Sequence, residues 1–141
     1  RKTRPPARRL AATFDDWLLS AENILLKGND QVILSESGIR TYEHATNTTT
    51  DISAVPMLKS LTHLPVVVDP AYSSGDAGLV APLAPLALAA VAAGADGLVL
   101  QVHAQPDHAL VDSPQSLAPD EFSAVVEVIR PLAETLNRCL P

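Results

Sequence analysis

Residues 36–40, 69–75 and 101–103 are three polar clusters, and each follows an apolar run of the chain. Carboxylate, guanidinium and imidazole groups gathered at the ends of apolar segments are the types that hold a phosphate or move a proton. Arg40 can grip a phosphate through its planar fork of donors, or it can pair with Glu36 or Glu43. His103 can bind a sugar phosphate or donate a proton, or serve as a hydrogen-bonded residue of the rim. Glu36 reads as a group that orients Arg40 rather than one that reacts. Asp69 reads either as a turn cap ahead of Pro70 or as a carboxylate facing a substrate. His44, His63 and His108 have no metal-ligand spacing among them and read as surface or packing residues. The sequence holds no glycine-rich phosphate loop and no nucleophile–His–acid set.

The elements that must carry these clusters follow from periodicity and capping. Residues 13–26 predict a helix, with Thr13 as N-cap and with Asp15 and Asp16 at the positive end of its dipole. Its apolar stripe is Trp17, Leu18, Ala21, Ile24 and Leu25, and Gly28 and Asn29 end it. Residues 31–34 predict a short strand, and residues 35–38 a polar turn. A second helix is expected over 51–61, with Asp51 as its cap and a distortion at Pro56. Residues 64–68 predict a buried strand, 79–93 a helix apolar on nearly every side and stopped by Gly94, and 97–102 a third strand. Residues 120–136 predict the last helix, capped from the segment 116–121. Strands that are continuously apolar and alternate with helices predict a parallel sheet covered by helices. Right-handed crossovers then bring the three strand ends to one rim, where ligands bind in α/β folds.

Composition narrows the function. A chain of 141 residues suits one domain, and with aromatics at only 4% the core must be built from Ala, Val, Leu and Ile. Five of the ten Lys and Arg residues fall in the first nine positions, in a basic arm at residues 1–12. Residues 10–141 carry five basic against sixteen acidic groups, a balance of −11. That body lacks the basic face a nucleic-acid binder needs, and no nucleic-acid partner is expected. Cys139 is the only cysteine, which excludes an internal disulfide and a multi-cysteine metal site. The longest apolar run, residues 79–94, holds Pro82 and Pro85 and falls short of a membrane span. No secretory signal is visible, so a soluble cytoplasmic protein is the expectation.

Three ordered segments carry a resemblance. The first is Ser35-Glu36-Ser37-Gly38-Ile39-Arg40-Thr41-Tyr42-Glu43, followed by Asp51-Ile52-Ser53-Ala54-Val55-Pro56. The second is His63-Leu64-Pro65-Val66-Val67-Val68-Asp69-Pro70. The third is Ala93-Gly94-Ala95-Asp96-Gly97, then Val102-His103, then Ala109-Leu110-Val111-Asp112-Ser113-Pro114-Gln115-Ser116-Leu117. Over roughly residues 10–125 the chain resembles the short, single-barrel 3-deoxy-7-phosphoheptulonate (DAHP) synthases. The resemblance implies an α/β fold that is the C-terminal half of a (β/α)8 TIM barrel. About three parallel strands and four helices are expected, with residues 13–141 as the partial-barrel domain.

The family's reaction condenses phosphoenolpyruvate with erythrose 4-phosphate, the step that opens the shikimate pathway, and a divalent metal such as Mn2+ polarises the aldehyde. The resemblance places its Cys, His, Glu and Asp metal ligands on different strand ends. The Cys strand would precede residue 1, the His position falls on Tyr72, the Glu position falls on Gln101, and only Asp112 matches. The family's Cys-Glu-Arg-Gly arginine, which holds the phosphoenolpyruvate phosphate, falls on Ser37. Its Lys-Arg-Gly falls on Ala7-Arg8-Arg9, with Arg8 as the stand-in cation. The arginine of Ala-Thr-Arg-Asn-Thr falls on Asn47, and a further basic pair falls on Asp76-Ala77. The expectation is a barrel frame with lost or reduced activity and no cofactor of its own, binding at most a phosphorylated small molecule through Arg8, Arg40 and His103. A metal-independent enzyme using those three residues is one alternative. A non-catalytic module that docks on an active synthase or another half-barrel is a second. Three strands cannot close a barrel, so the sequence reads as part of a longer product, as one member of a homo-oligomer or partner of a complementary barrel half, or as a decayed remnant, with no membrane partner expected.

Overall fold

Thr13 opens the first helix of the computed structural model, which describes residues 12–43, 48–73, 83–111 and 113–140. Its hydroxyl accepts the Asp16 N–H at 3.2 Å, and the Asp16 carboxylate accepts the Thr13 N–H at 3.1 Å. This reciprocal cap starts α1, Phe14–Leu25, whose Trp17 and Ala21 are buried as the stripe predicts. The chain continues through β1 (Leu34–Glu36), α2 (Ala54–Leu61), β2 (Val66–Val68) and a 3-10 turn (Ala71–Ser73). Then come α3 (Leu83–Ala92), β3 (Gly97–Leu98), two more 3-10 turns (Pro106–His108 and Ser113–Gln115) and α4 (Pro119–Thr135).

The strands lie in the order β1-β2-β3, all parallel, with Leu34 beside Val66, Glu36 beside Val68, and Val68 beside Leu98. Parallel neighbours need a long return, and α2 and α3 supply it. The expected α/β arrangement of three parallel strands and four helices is present. Beyond β3, an isolated parallel bridge joins Val102 to Leu117, outside the three strands. It is made by the His103 N–H donating to Leu117 O and the Leu117 N–H donating to Gln101 O, both at 2.9 Å.

Successive strand residues point to opposite faces. Leu34, Val66 and Val68 are fully buried in one cluster with Trp17 and Ala21 of α1 and Ala54, Val55 and Leu58 of α2. A second cluster joins Leu83, Ala87 and Val91 of α3 to Val125 and Ile129 of α4, with Leu117 among them. The alternate face has less cover: Ile33 is 44% exposed, Val99 is 36% exposed, and Val67 is half-buried.

Several boundaries move from their expected places. The first strand is Leu34–Glu36 rather than residues 31–34, and Ser35 and Glu36 are buried strand residues rather than the start of a turn. The polar side chains are tolerated there because backbone amides satisfy the carboxylate, as described below. α2 begins at Ala54, with Ser53 as its N-cap. Asp51 is not the cap; it accepts the Ser53 hydroxyl at 2.5 Å instead. Pro56 falls in the first turn, where a missing N–H breaks no helical bond, so it does not distort the helix. The third strand's ladder is confined to Gly97–Leu98. Of the helix expected at 79–93, residues 79–82 lie outside the described residues, as does nearly all of the basic arm at 1–12.

The base of the sheet, opposite the rim, is fastened by a residue whose role the sequence did not announce. Asp96 accepts the Val66 N–H at 2.9 Å, Lys59 Nζ of α2 at 2.6 Å and Arg138 Nη2 at 3.2 Å. Arg138 reaches it because Asn137, at φ +55°, turns the chain back after α4, and its other amine donates to Ala95 O. Burial pushes the Asp96 carboxyl upward. The Lys59 and Val66 hydrogen bonds, with the Lys59 and Arg138 charges, outweigh that and hold it below its ordinary value. The ion pairs are largely open to solvent and screened, so Asp96→Asn is expected to cost about 1 kcal/mol at neutral pH. With the folded pKa depressed, this contribution is complete above the ordinary aspartate value of about 3.9. It is lost as pH falls through the folded value. Urea denaturation across that range should show wild type and variant converging at low pH.

Candidate functional site

The polar residues at the strand ends stand on a frame built mostly from backbone amides. Glu36 closes β1 and is fully buried. Its Oε1 accepts the Gly38 N–H at 2.8 Å and the Asp51 N–H at 3.3 Å, and its carbonyl accepts the Asp69 N–H at 2.7 Å. A buried carboxylate requires donors, and here they come from the loop after β1 and the approach to α2. Glu36 therefore does not orient Arg40, as the sequence suggested; it fixes the loop that carries Arg40. Gly38, at φ +87°, makes the turn toward the carboxylate in a conformation few side-chain-bearing residues adopt.

Beyond Gly38, Ile39 pairs antiparallel with Thr49 through bonds of 2.8 and 2.9 Å, and the Thr41 and Thr49 hydroxyls lie 2.8 Å apart. Thr48, 4% exposed, donates its hydroxyl to Tyr72 O at 3.2 Å and so ties this loop to the 3-10 turn after β2. Neither the Glu36 clamp nor the Thr48 tie was expected. The available signal was a glutamate at the end of an apolar run with a glycine two residues on.

The candidate residues themselves are dispersed. Arg40 is exposed and makes no ion pair among the described residues. Asp69 is buried directly after β2, and the Tyr72 side chain is 37% exposed on the 3-10 turn. Gln101 is half-buried beyond β3. His103 is exposed, and its Nδ1 lies 2.7 Å from Gln105 O and 3.0 Å from Gln105 N. That local turn engages Nδ1 in either tautomer. His63 and His108 are exposed, in keeping with surface roles. Arg8, Asp112, His44, Asn47 and the Asp76-Ala77 pair lie outside the described residues.

Among the described residues, no group of three or more His, Cys, Asp or Glu side chains is placed to hold a metal ion. Tyr72 and Gln101 offer a phenol, ordinarily ionising near pH 10, and a neutral amide. Both are poor donors for a divalent cation of the Mn2+ or Zn2+ kind. Ser37, where the resemblance calls for a guanidinium, has its hydroxyl 3.4 Å from that of Ser35. The described part of the site does not fit the family's metal. No described helix is long and apolar enough to cross a membrane.

Removing the clamp should disturb the rim without touching these side chains. Glu36→Ala is expected to cost about 1–3 kcal/mol, because two amides lose their buried acceptor. Hydrogen exchange should quicken at Gly38 and Asp51 ahead of the β2 amides. Equal acceleration throughout the sheet would contradict a local role.

Comparison with known proteins gives consistent results. A sequence model of the DAHP synthetase I family matches residues 7–138. The phospho-2-dehydro-3-deoxyheptonate aldolase of Thermotoga maritima is 47% identical over 125 residues, which are 89% of this chain and 36% of that protein. A 2-dehydro-3-deoxyphosphooctonate aldolase of Syntrophobacter fumaroxidans is 36% identical over 123 residues, covering 79% of this chain and 41% of that one. The crystal structure of the Thermotoga maritima DAHP synthase superposes with a TM-score of 0.88 at 43% identity, over 96% of this chain and 39% of that one. A truncated form of the 3-deoxy-D-arabino-heptulosonate 7-phosphate synthase from Thermotoga maritima gives 0.86 at 41% identity, with 98% and 52% covered. The chain thus spans well under half the length of the curated relatives it matches.

Proposed function

The chain belongs to the DAHP synthetase I family, and from that premise we propose that it keeps the family's barrel frame while its metal-assisted condensation is lost or strongly reduced. The observation that carries this reading is the identity of the rim side chains. Tyr72 and Gln101 occupy positions where the resemblance calls for metal ligands, and Ser37 occupies the position of a phosphate-binding arginine. The contacts that fix the loops after β1 and β2 are made by Glu36, Thr48 and the backbone. The loss is therefore one of chemistry within a standing fold.

What the rim retains is a capacity for anions. Arg40 and His103 are exposed beyond strand ends, at the rim where α/β folds bind ligands. A phosphorylated small molecule is the class of ligand they suit, held by charge and without a metal-polarised carbonyl. Docking on an active synthase as a silent module is the second reading. The incompletely covered sheet face bearing Ile33 and Val99 favours it.

The direct test is an assay of the purified chain with phosphoenolpyruvate, erythrose 4-phosphate and Mn2+, beside a Tyr72→His/Gln101→Glu variant. Wild type is expected to show no turnover. The variant should bind Mn2+ at least about tenfold more tightly by spectroscopic titration, since it regains an imidazole and a carboxylate. Metal-dependent turnover by the wild type would overturn the proposal.

A further inference from the structure

Arg40 stands on an arm that leaves β1 and returns toward α2. Ile39 and Thr49 exchange both backbone hydrogen bonds, at 2.8 and 2.9 Å, and the Thr41 and Thr49 hydroxyls lie 2.8 Å apart. The residues on either side of Arg40 are therefore both registered on Thr49. A two-stranded arm this short has little stability of its own in water, so its place is set by whatever fixes it to the rest of the fold. Glu36 fixes its root by accepting the Gly38 and Asp51 amides.

A second fixing point is the residue next to Thr49. Thr48 is 4% exposed, and its hydroxyl lies 3.2 Å from Tyr72 O and 3.5 Å from Ser37 O. The first contact crosses to the turn after β2, and the second reaches back to the residue that follows β1. Both acceptors are main-chain carbonyls, so the tie holds whichever side chains stand at positions 37 and 72.

We infer that Thr48 is a positioning residue for anion binding at the rim, holding the arm of Arg40 against the turn after β2. The inference rests on the reading of Arg40 as a group that binds phosphate. A guanidinium–phosphate contact is directional, with two parallel hydrogen bonds in a fixed plane. An arm that is free to move must be ordered when the anion arrives, and that ordering weakens binding. An arm already tied presents the guanidinium in place. Losing one net hydrogen bond from the tie corresponds to about a three- to tenfold loss of affinity when the ordering is shifted to the binding step.

Inorganic phosphate titrated into the 15N-labelled chain tests this, with the amide shifts of residues 38–41 as the readout. Wild type is expected to saturate, and Arg40→Gln to lose the response. Thr48→Val keeps the branched shape and removes the hydroxyl. Its dissociation constant should rise about three- to tenfold while the amides of β2 keep their shifts. Thr48→Ser should restore affinity to within about twofold of wild type, because the hydroxyl returns. A purely structural role would lower the urea midpoint of Thr48→Val and leave the dissociation constant of the folded protein unchanged; that result would overturn the inference. So would a loss that serine does not restore. If Thr48→Val fails to fold, Thr41→Val decides, since it releases the neighbour of Arg40 from Thr49 at an exposed position. Unchanged affinity in that variant would overturn the inference as well. A wild type whose rim amides ignore phosphate would remove the anion reading and this inference together, whereas saturation that is indifferent to Thr48→Val would remove this inference alone.

Discussion

The pairing of β2 with a parallel neighbour on each side is the interaction from which the other features follow. A parallel strand has no short way back to its partner, so each pairing commits the chain to a helical crossover. The helices then bury one face of the sheet. β2 is held just beyond both ends of its ladder with β3, by a side chain at the base and by the end of β1 at the rim. The Val66 N–H donates to Asp96 at the base, and the Asp69 N–H donates to Glu36 O at the rim. Three strands of two or three residues each would be slight by themselves. Their burial against α1 and α2 on one face is what makes them persist.

Two carboxylates divide the remaining work by position. Asp96 gathers Lys59, Arg138 and a strand amide where the strands begin, and so anchors the segment that follows α4. Glu36 gathers two loop amides where the strands end, and so shapes the surface available to a ligand. Neither is placed to react. The exposed side chains at the rim are Arg40, on the loop that Glu36 supports, and His103, held by its own turn and by Leu117.

Much of the architecture was legible because its signals are local. The Thr13–Asp16 cap, the Trp17 and Ala21 stripe and the apolar triplet Val66-Val67-Val68 each state their structure within a few residues. The strand carrying Glu36 was misread because a buried glutamate contradicts periodicity until its distant amide partner, Asp51, is known. Pro56 was read as a distortion because its effect depends on where the helix starts, and that start was set by Ser53 rather than Asp51. The base cluster was invisible for the same reason, since Lys59, Asp96 and Arg138 are separated by about 40 residues at each step. The motif resemblance identified the family. It could not say that Glu36 turns inward onto backbone amides.

That orientation has a consequence for how such a protein can change over time. Glu36 shares its side of the strand with Leu34, in the helix layer, while the neighbouring residues of opposite parity point to the less covered face of the sheet. The support for the rim is thus buried in one compartment, and the letters that write its chemistry are displayed in another. On the proposed reading, Ser37 and Tyr72 alter the text without pulling on the binding that holds the page. A lineage can lose one activity, idle, and be rewritten for another while its folded form stays under continuous selection.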